Sequence, residues 1–269
     1  MLRKSDNSKT KGYHLPKGSI LACVGLSTQQ TNYCSPGLCS NGGPHIACNG
    51  LTKLSASCGS GSQEFEITSA NQALILDLHN KLRSTIATGK QSYQTKAFYP
   101  QASRMATLQW DQELANIAAA NARRCVYGHD RCRNTVKFPY AGQNIAMKWY
   151  YGMTFSVNDL ITGFVNDWYS EFKDANPSVI AKYPSSWSGP QIGHFTQIVS
   201  DRTTRVGCAM VRFKEGQWIK DLIVCNYALT NIINQPVYVT GTACSKCTTG
   251  CNAKYPGLCN PNENIVAKP

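Results

Sequence analysis

The spacing of apolar residues changes character along the chain, and the changes mark its elements. Over residues 73–86, Leu74, Leu78 and Leu82 recur every fourth position, Ser69-Ala70-Asn71-Gln72 has capping-box form ahead of them, and Gly89 follows as a stop. Asp111 is placed to cap a second helix, on which Leu114, Ala118 and Ala122 share a face. Ser156-Val157-Asn158-Asp159 opens a third, with Leu160, Phe164, Trp168 and Phe172 as one apolar stripe. Segments 142–149, 195–200, 205–213 and 218–227 read as strands. Gly216 lies in the short connection that makes the last two an antiparallel hairpin. Helices and strands mix without a regular βαβ repeat. The expected fold class is α+β, with helices packed on an antiparallel sheet.

Periodicity fails at both ends. Residues 28–64 are rich in Gly, Ser, Asn and Cys, include Asn41-Gly42-Gly43-Pro44, and read as loops. Pro236 and Gly241 punctuate a small cysteine-rich tail over 239–269, whose last ten residues are polar and expected to fray. The plan is therefore a leader (1–27), a stapled extension (28–64), a central domain (65–238) and the tail. Neither an internal repeat nor an Asn-x-Ser/Thr sequon occurs, so N-glycosylation is not expected.

Cysteine usage sets the compartment. Of 13 cysteines, 12 follow Thr28: Cys34, Cys39, Cys48 and Cys58 early, Cys125 and Cys132 midway, Cys208 and Cys225 on neighbouring strands, and Cys244, Cys247, Cys251 and Cys259 in the tail. An even, ordered set suits an oxidised framework, which persists where thiols are not kept reduced. The rival is zinc at Cys244-x-x-Cys247, but a structural zinc site needs a second close pair or histidines, and neither follows. Arg3, Lys4, Lys9, Lys11 and Lys17 precede the apolar run from Ile20 to Leu26, and Gly25 and Ser27 are small ahead of Thr28. Basic, apolar, then small is the order of a signal peptide. Here it is atypical or truncated, with a short apolar run and Asp6, His14 and Pro16 interrupting what precedes it. Cys23, the odd cysteine, lies inside this run. No later segment approaches the ~20 apolar residues that span a bilayer. A secreted, extracellular protein is expected.

Charge narrows the partners only slightly. The formal charge is +12, the leader supplies five positive and one negative residue, and +8 remains from Thr28 onward. Such a balance suits acidic glycans or anionic surfaces. Nucleic acid is disfavoured, because the basic residues are dispersed and no binding motif accompanies them.

Candidate chemistry rests on three side chains. Gly193-His194-Phe195-Thr196-Gln197-Ile198-Val199 puts His194 at the mouth of the expected second strand. His129 lies between Cys125 and Cys132 in a loop that disulfides would hold, and Glu171 follows Trp168 by three on the third helix. Two imidazoles and a carboxylate from separate elements are ingredients for a divalent metal site or for a general acid and base. Ordinary polar roles are the plainer reading of the same residues.

The motif containing His194 resembles the first signature of the CAP superfamily, which groups cysteine-rich secretory proteins, antigen 5 and plant pathogenesis-related 1 proteins. Leu222-Ile223-Val224-Cys225-Asn226-Tyr227 is similar to the start of its second signature, and Leu78-His79-Asn80-x-x-Arg83 to its first helix. Asn32-Tyr33-Cys34, Pro44-His45-Ile46-Ala47-Cys48 and His129-Asp130-x-Cys132-x-Asn134-Thr135 resemble the antigen 5 branch of insect saliva and venom, and the tail cysteines fit its fly-type members. The resemblance runs from about Asn32 to Tyr238. It implies an α-β-α sandwich (the CAP or SCP fold) with a cleft lined by two histidines and two acids. By position these are His129, His194 and Glu171. The second acid, normally in Gly-Glu-Asn, is replaced in Gly142-Gln143-Asn144. Gln143 cannot act as a base, although its oxygen accepts hydrogen bonds. Ser200 stands where the first signature usually has Trp, and residues 229–231 lack the Pro-x-Gly of the second. His79 matches the helix motif but not the cleft, and is expected to be structural.

The resemblance also implies the pairs Cys34–Cys48, Cys39–Cys132, Cys58–Cys125 and Cys208–Cys225, and leaves three connectivities open for Cys244, Cys247, Cys251 and Cys259. The expected function is that of a secreted, non-enzymatic binding protein that requires no cofactor. His129 and His194 would bind zinc weakly, and Gln143→Glu would strengthen that binding. Its partner would be an extracellular host or self protein, or a small lipid-like ligand held between helices; the implied roles are modulation of host haemostasis or immunity, and allergenicity. Two alternatives are a metal-dependent hydrolase built on His129, Glu171 and His194, and a channel- or receptor-blocking toxin using the cysteine tail.

Overall fold

The structure, a computed structural model, describes residues 31–39, 42–94 and 96–269. The leader and Cys23 lie outside the described residues. In chain order the elements are β1 (Gln63–Phe65), α1 (Ser69–Ala87), β2 (Ser92–Gln94), β3 (Ala97–Phe98), β4 (Gln109–Trp110), α2 (Gln112–Ala122), β5 (Gly142–Tyr150), α3 (Val157–Ser170), α4 (Pro177–Ala181), α5 (Gly193–Val199), β6 (Arg205–Glu215) and β7 (Trp218–Tyr227). A 3₁₀ turn, Glu171–Lys173, continues α3.

The main sheet runs β1-β6-β7-β5 with antiparallel pairing, and β4 joins β6 in parallel. Strand alternation sorts its side chains between two layers. Val206, Cys208, Met210, Ile223, Cys225 and Tyr227 join the core under α1, α3 and α5. Ala209, Val211, Phe213, Leu222 and Val224 meet Ala118, Ala119 and Ala122 of α2 on the other face. The result is the expected α-β-α sandwich, with Cys208 opposite Cys225 in the β6–β7 register and bonded to it. Gly216 turns that hairpin at φ 59°, a left-handed conformation that suits glycine.

The second and third helices form as the pattern predicts. Asp111 accepts from the Leu114 N–H, and Ser156 with Asp159 closes a capping box. Leu160, Phe164 and Trp168 are buried, so the aromatic stripe is core. Three expectations need correction. First, α1 begins at Ser69, capped by Thr68 with Asn71, and its most buried line is Ile75, His79, Arg83 and Ile86; Leu74, Leu78 and Leu82 are only half-buried. Second, residues 195–200 are not a strand: they belong to α5 and its C-cap, with all seven helical residues but Gly193 buried. Burial on every side erases the periodicity that separates a short helix from a strand. Third, the last ten residues are tied down. Glu263 accepts hydrogen bonds from Thr248, Thr249 and Arg104, and Arg202 donates to the Lys268 carbonyl. Burial alone would raise the Glu263 pKa, but the donors from Thr249, Thr248 and Arg104 outweigh it and hold the carboxyl at about 2.

Six disulfides join the twelve cysteines after Thr28. Cys34–Cys48, Cys39–Cys132 and Cys58–Cys125 staple the extension to itself and to the loop bearing His129. The tail resolves as Cys244–Cys251 and Cys247–Cys259, so the Cys244-x-x-Cys247 spacing serves two different bonds rather than a metal. Among the described residues, no helix is long and apolar enough to cross a membrane.

Candidate functional site

The site is built on the first residues of β5, the strand that ends the sheet order. Alternation sends the side chains of Gln143 and Asn144 to opposite faces. Each holds one of the two candidate histidines.

On the α2 face, His129 Nδ1 lies 2.8 Å from Gln143 Oε1. The Gln143 amide donates to Asp130 Oδ2 at 2.7 Å and to Asn226 Oδ1 at 2.9 Å. With its amide nitrogen committed, Gln143 presents only its carbonyl to His129, so His129 donates from Nδ1 and leaves Nε2 as the free lone pair. Asp130 is buried, accepts from Asn121 at 2.9 Å and faces the Arg133 guanidinium at 2.9 Å. His129 is exposed and lines a cavity of about 440 Å³ with His45, Ile46, Leu51, Arg124 and Arg131.

On the other face, Glu171 organises His194. One carboxylate oxygen accepts from His194 Nδ1 at 2.7 Å. The other accepts the backbone N–H groups of His194 at 2.9 Å and Phe195 at 3.1 Å. A carboxylate from a neighbouring element thus satisfies the orphan donors at the start of α5. Arg83 answers at the other end, donating to the carbonyls of Ile198 and Ser200 at 2.7 Å each. These two anchors explain why so short a segment is helical. The arrangement also fixes the His194 tautomer, with Nε2 as the lone pair that faces the Gln191 amide at 3.5 Å. Trp168 backs the ring at 5.9 Å between centroids.

A buried polar chain joins the site to α1. Asn144 donates to the His194 carbonyl at 3.2 Å and to the Tyr227 hydroxyl at 3.3 Å, and Tyr227 donates to His79 Nε2 at 2.9 Å. His79 donates from Nδ1 to the Ile75 carbonyl at 2.8 Å. Burial, with some help from the Arg83 charge, lowers the His79 pKa to about 4 despite the bond to Ile75. His79 is therefore a neutral structural residue, as expected.

The four expected cleft residues thus form two pairs, His129–Gln143 and Glu171–His194, anchored on neighbouring residues of one strand. Among the described residues, no group of three or more His, Cys, Asp or Glu is arranged to hold a metal ion. Sequence reasoning missed Asp130, Asn144 and Asn226 as partners. All three stand inside quoted motifs, beside His129, Gln143 and Tyr227, but nothing local says which group each one meets.

Residues 76–227 match the family model described as "CAP: Cysteine-rich secretory protein family". The chain is 46% identical to "Venom allergen-1" of Aedes aegypti over 246 residues, covering 91% of this chain and 94% of that protein. It is 36% identical to "Antigen 5 like allergen Cul n 1" of Culicoides nubeculosus, covering 72% of this chain and 88% of that protein. The structure is similar to that described as "Crystal structure of NaASP2 with Zn2+", with a TM-score of 0.60 and 26% identity over 71% of this chain and 96% of that one.

Proposed function

The chain belongs to the cysteine-rich secretory protein (CAP) family, in its antigen 5 and venom-allergen branch, and from that premise we propose that it is a secreted, non-enzymatic binding protein. The observation that carries this reading is the state of the two acidic positions. Gln143 has no basic group, and its amide is committed to Asp130 and Asn226. Glu171 already accepts three hydrogen bonds, two from backbone, and is spent on holding α5 and His194. A hydrolase would need a positioned proton acceptor, a contribution of ~10²- to 10⁴-fold in rate. The six disulfides suit an oxidising, extracellular setting. The partner is an extracellular host or self protein, or a small lipid-like ligand. Because the stripe of α3 is core, such a ligand would sit instead in the cavity beside His129. Delivery in saliva or venom would make host haemostasis or immunity the process affected.

Weak zinc binding fits the same residues. Both histidines, on opposite faces of β5, donate from Nδ1 and leave Nε2 as the lone pair, that of His194 facing the Gln191 amide; a donating Nδ1 is what orients metal-bound imidazole. The similar protein NaASP2 is described with Zn2+. Two imidazoles fall short of a closed four-ligand site, so the affinity is low and no cofactor is required.

Two measurements test this reading. Zinc calorimetry should show weak binding that His129→Ala with His194→Ala abolishes while the fold persists; unchanged binding in that variant refutes the zinc site. A broad peptidase and esterase panel should show no turnover above a His194→Ala control. Robust wild-type turnover lost in His194→Ala would promote the hydrolase in place of the binding protein.

A further inference from the structure

The α2 face of the sheet outruns the helix that covers it. At about 1.5 Å per residue, the 11 residues of α2 span roughly 16 Å. The 11 residues of β6, at about 3.3 Å each, span more than twice that. Alternation carries the same face onward beyond Val211, Phe213, Leu222 and Met147, which pack in the α2 layer. Its outer end holds Trp149, Trp218 and the stem of Lys220, with Tyr151 just past the strand.

These aromatics, and Met153 beside them in sequence, do not fold back. Trp149 is 61% exposed, Tyr151 59%, Met153 56% and Trp218 46%. Tyr151 meets Trp218 edge-on, with centroids 6.4 Å apart and planes at 63°. Lys220 lies 4.8 Å over the Trp149 ring and is ion-paired with Glu215. Lys148 and Lys214, on the opposite face of the same strand ends, are exposed. Three lysines against one glutamate leave the tip with a charge of +2.

We propose that this hairpin tip is a docking surface for an anionic lipid membrane, independent of the histidine cleft. Trp and Tyr have an apolar body and a polar edge, and settle at the boundary between headgroups and acyl chains. Lysines around them add attraction to acidic headgroups, while their stems cover apolar surface. Tyr151 and Trp218 cross at 63°, so they make a wedge rather than the flat platform on which a sugar face stacks. Charge complementarity selects an acidic leaflet over a neutral one. The protein would lie on such a surface, with only the tip in the interface.

Vesicle flotation tests this with the full oxidised protein and two compositions, phosphatidylcholine alone and phosphatidylcholine with about a third phosphatidylserine. The expected result is partition onto the acidic vesicles, weak partition onto neutral ones, and loss of binding as salt screens the lysines. Trp149→Ala with Trp218→Ala should reduce partition about tenfold or more, since each forfeits burial of a large apolar side chain. Lys148→Glu and Lys214→Glu should each reduce it by about fivefold or more, from the ~1 kcal/mol a basic residue gains near an acidic surface. Phe98→Ala, which removes a 56% exposed aromatic on the separate β2–β3 hairpin, should change nothing. All substituted positions are exposed, and a circular dichroism spectrum matching wild type verifies the fold. The proposal is overturned by absence of partition onto acidic vesicles, or by partition undiminished in the double tryptophan variant. Binding to an acidic polysaccharide through the same tryptophans, without vesicle binding, overturns it equally.

Discussion

Gln143→Glu restores the carboxylate that the family pattern has at this position, and the structure says the folded chain resists it. His129 keeps an acceptor either way, so the change falls on the other side of the group. The two donations from the Gln143 amide, to Asp130 at 2.7 Å and Asn226 at 2.9 Å, become oxygen facing oxygen. Losing a bond to a charged acceptor costs about 1.5–3 kcal/mol and one to a neutral acceptor about 1 kcal/mol. Two carboxylates some 4 Å apart near a protein surface repel by up to about 4 kcal/mol. The lost bonds and the repulsion together give a destabilisation of roughly 4–8 kcal/mol at pH 8. Protonation relieves only the charge portion. A repulsion of about 4 kcal/mol corresponds to a rise of about three pKa units, which takes the new carboxyl from about 4.3 unfolded to near 7 folded. Between those values the folded state holds a proton that the unfolded state releases. Relative to wild type, the variant loses stability as pH rises from about 4.3 to about 7 and is level above that. Urea denaturation of both proteins from pH 4 to 8.5, with disulfides intact, measures the difference. Gln143→Met should show a smaller cost that does not vary with pH. A Gln143→Glu penalty below about 1 kcal/mol and flat with pH would refute the reasoning. The same geometry confines the expected strengthening of zinc binding to pH above about 7, because a protonated carboxyl is a poor ligand.

Two other outcomes follow from the buried framework. His79 is neutral when folded with a pKa of about 4, against about 6.5 unfolded, so the unfolded state takes up a proton first as pH falls. Stability should drop by about 3 kcal/mol between pH 6.5 and 4 through this residue alone, and His79→Gln should flatten that part of the wild-type pH profile. An unchanged profile would remove His79 from the linkage. Protein cut before Thr28 should show six disulfides and no free thiol by mass spectrometry with and without reduction; two or more reactive thiols, or stoichiometric zinc in the tail, would contradict the pairing found here.

Much of the architecture is written in local pattern. Alternation along β5, β6 and β7, the capping residues Asp111 and Ser156, and the turn at Gly216 are each properties of a few adjacent residues, and each appears in the fold as read. Resemblance implied four of the six disulfides, which pair as expected, and it singled out His129, Gln143, Glu171 and His194, which the structure brings together as two pairs. Partners far apart in sequence were not legible. The segment Phe195-Thr196-Gln197-Ile198-Val199 has strand composition, and it is a helix because Glu171 holds its first N–H groups and Arg83 its last carbonyls. The buried line of α1 passes through His79 and Arg83 rather than its leucines, since their polar groups find Tyr227 and backbone carbonyls in other elements. Glu263 pins a polar terminus that composition alone marks as loose. Hydrophobic periodicity reports which face of an element meets the core. The satisfaction of a buried charge or an orphan backbone group depends on what folding brings beside it, and that information is not local.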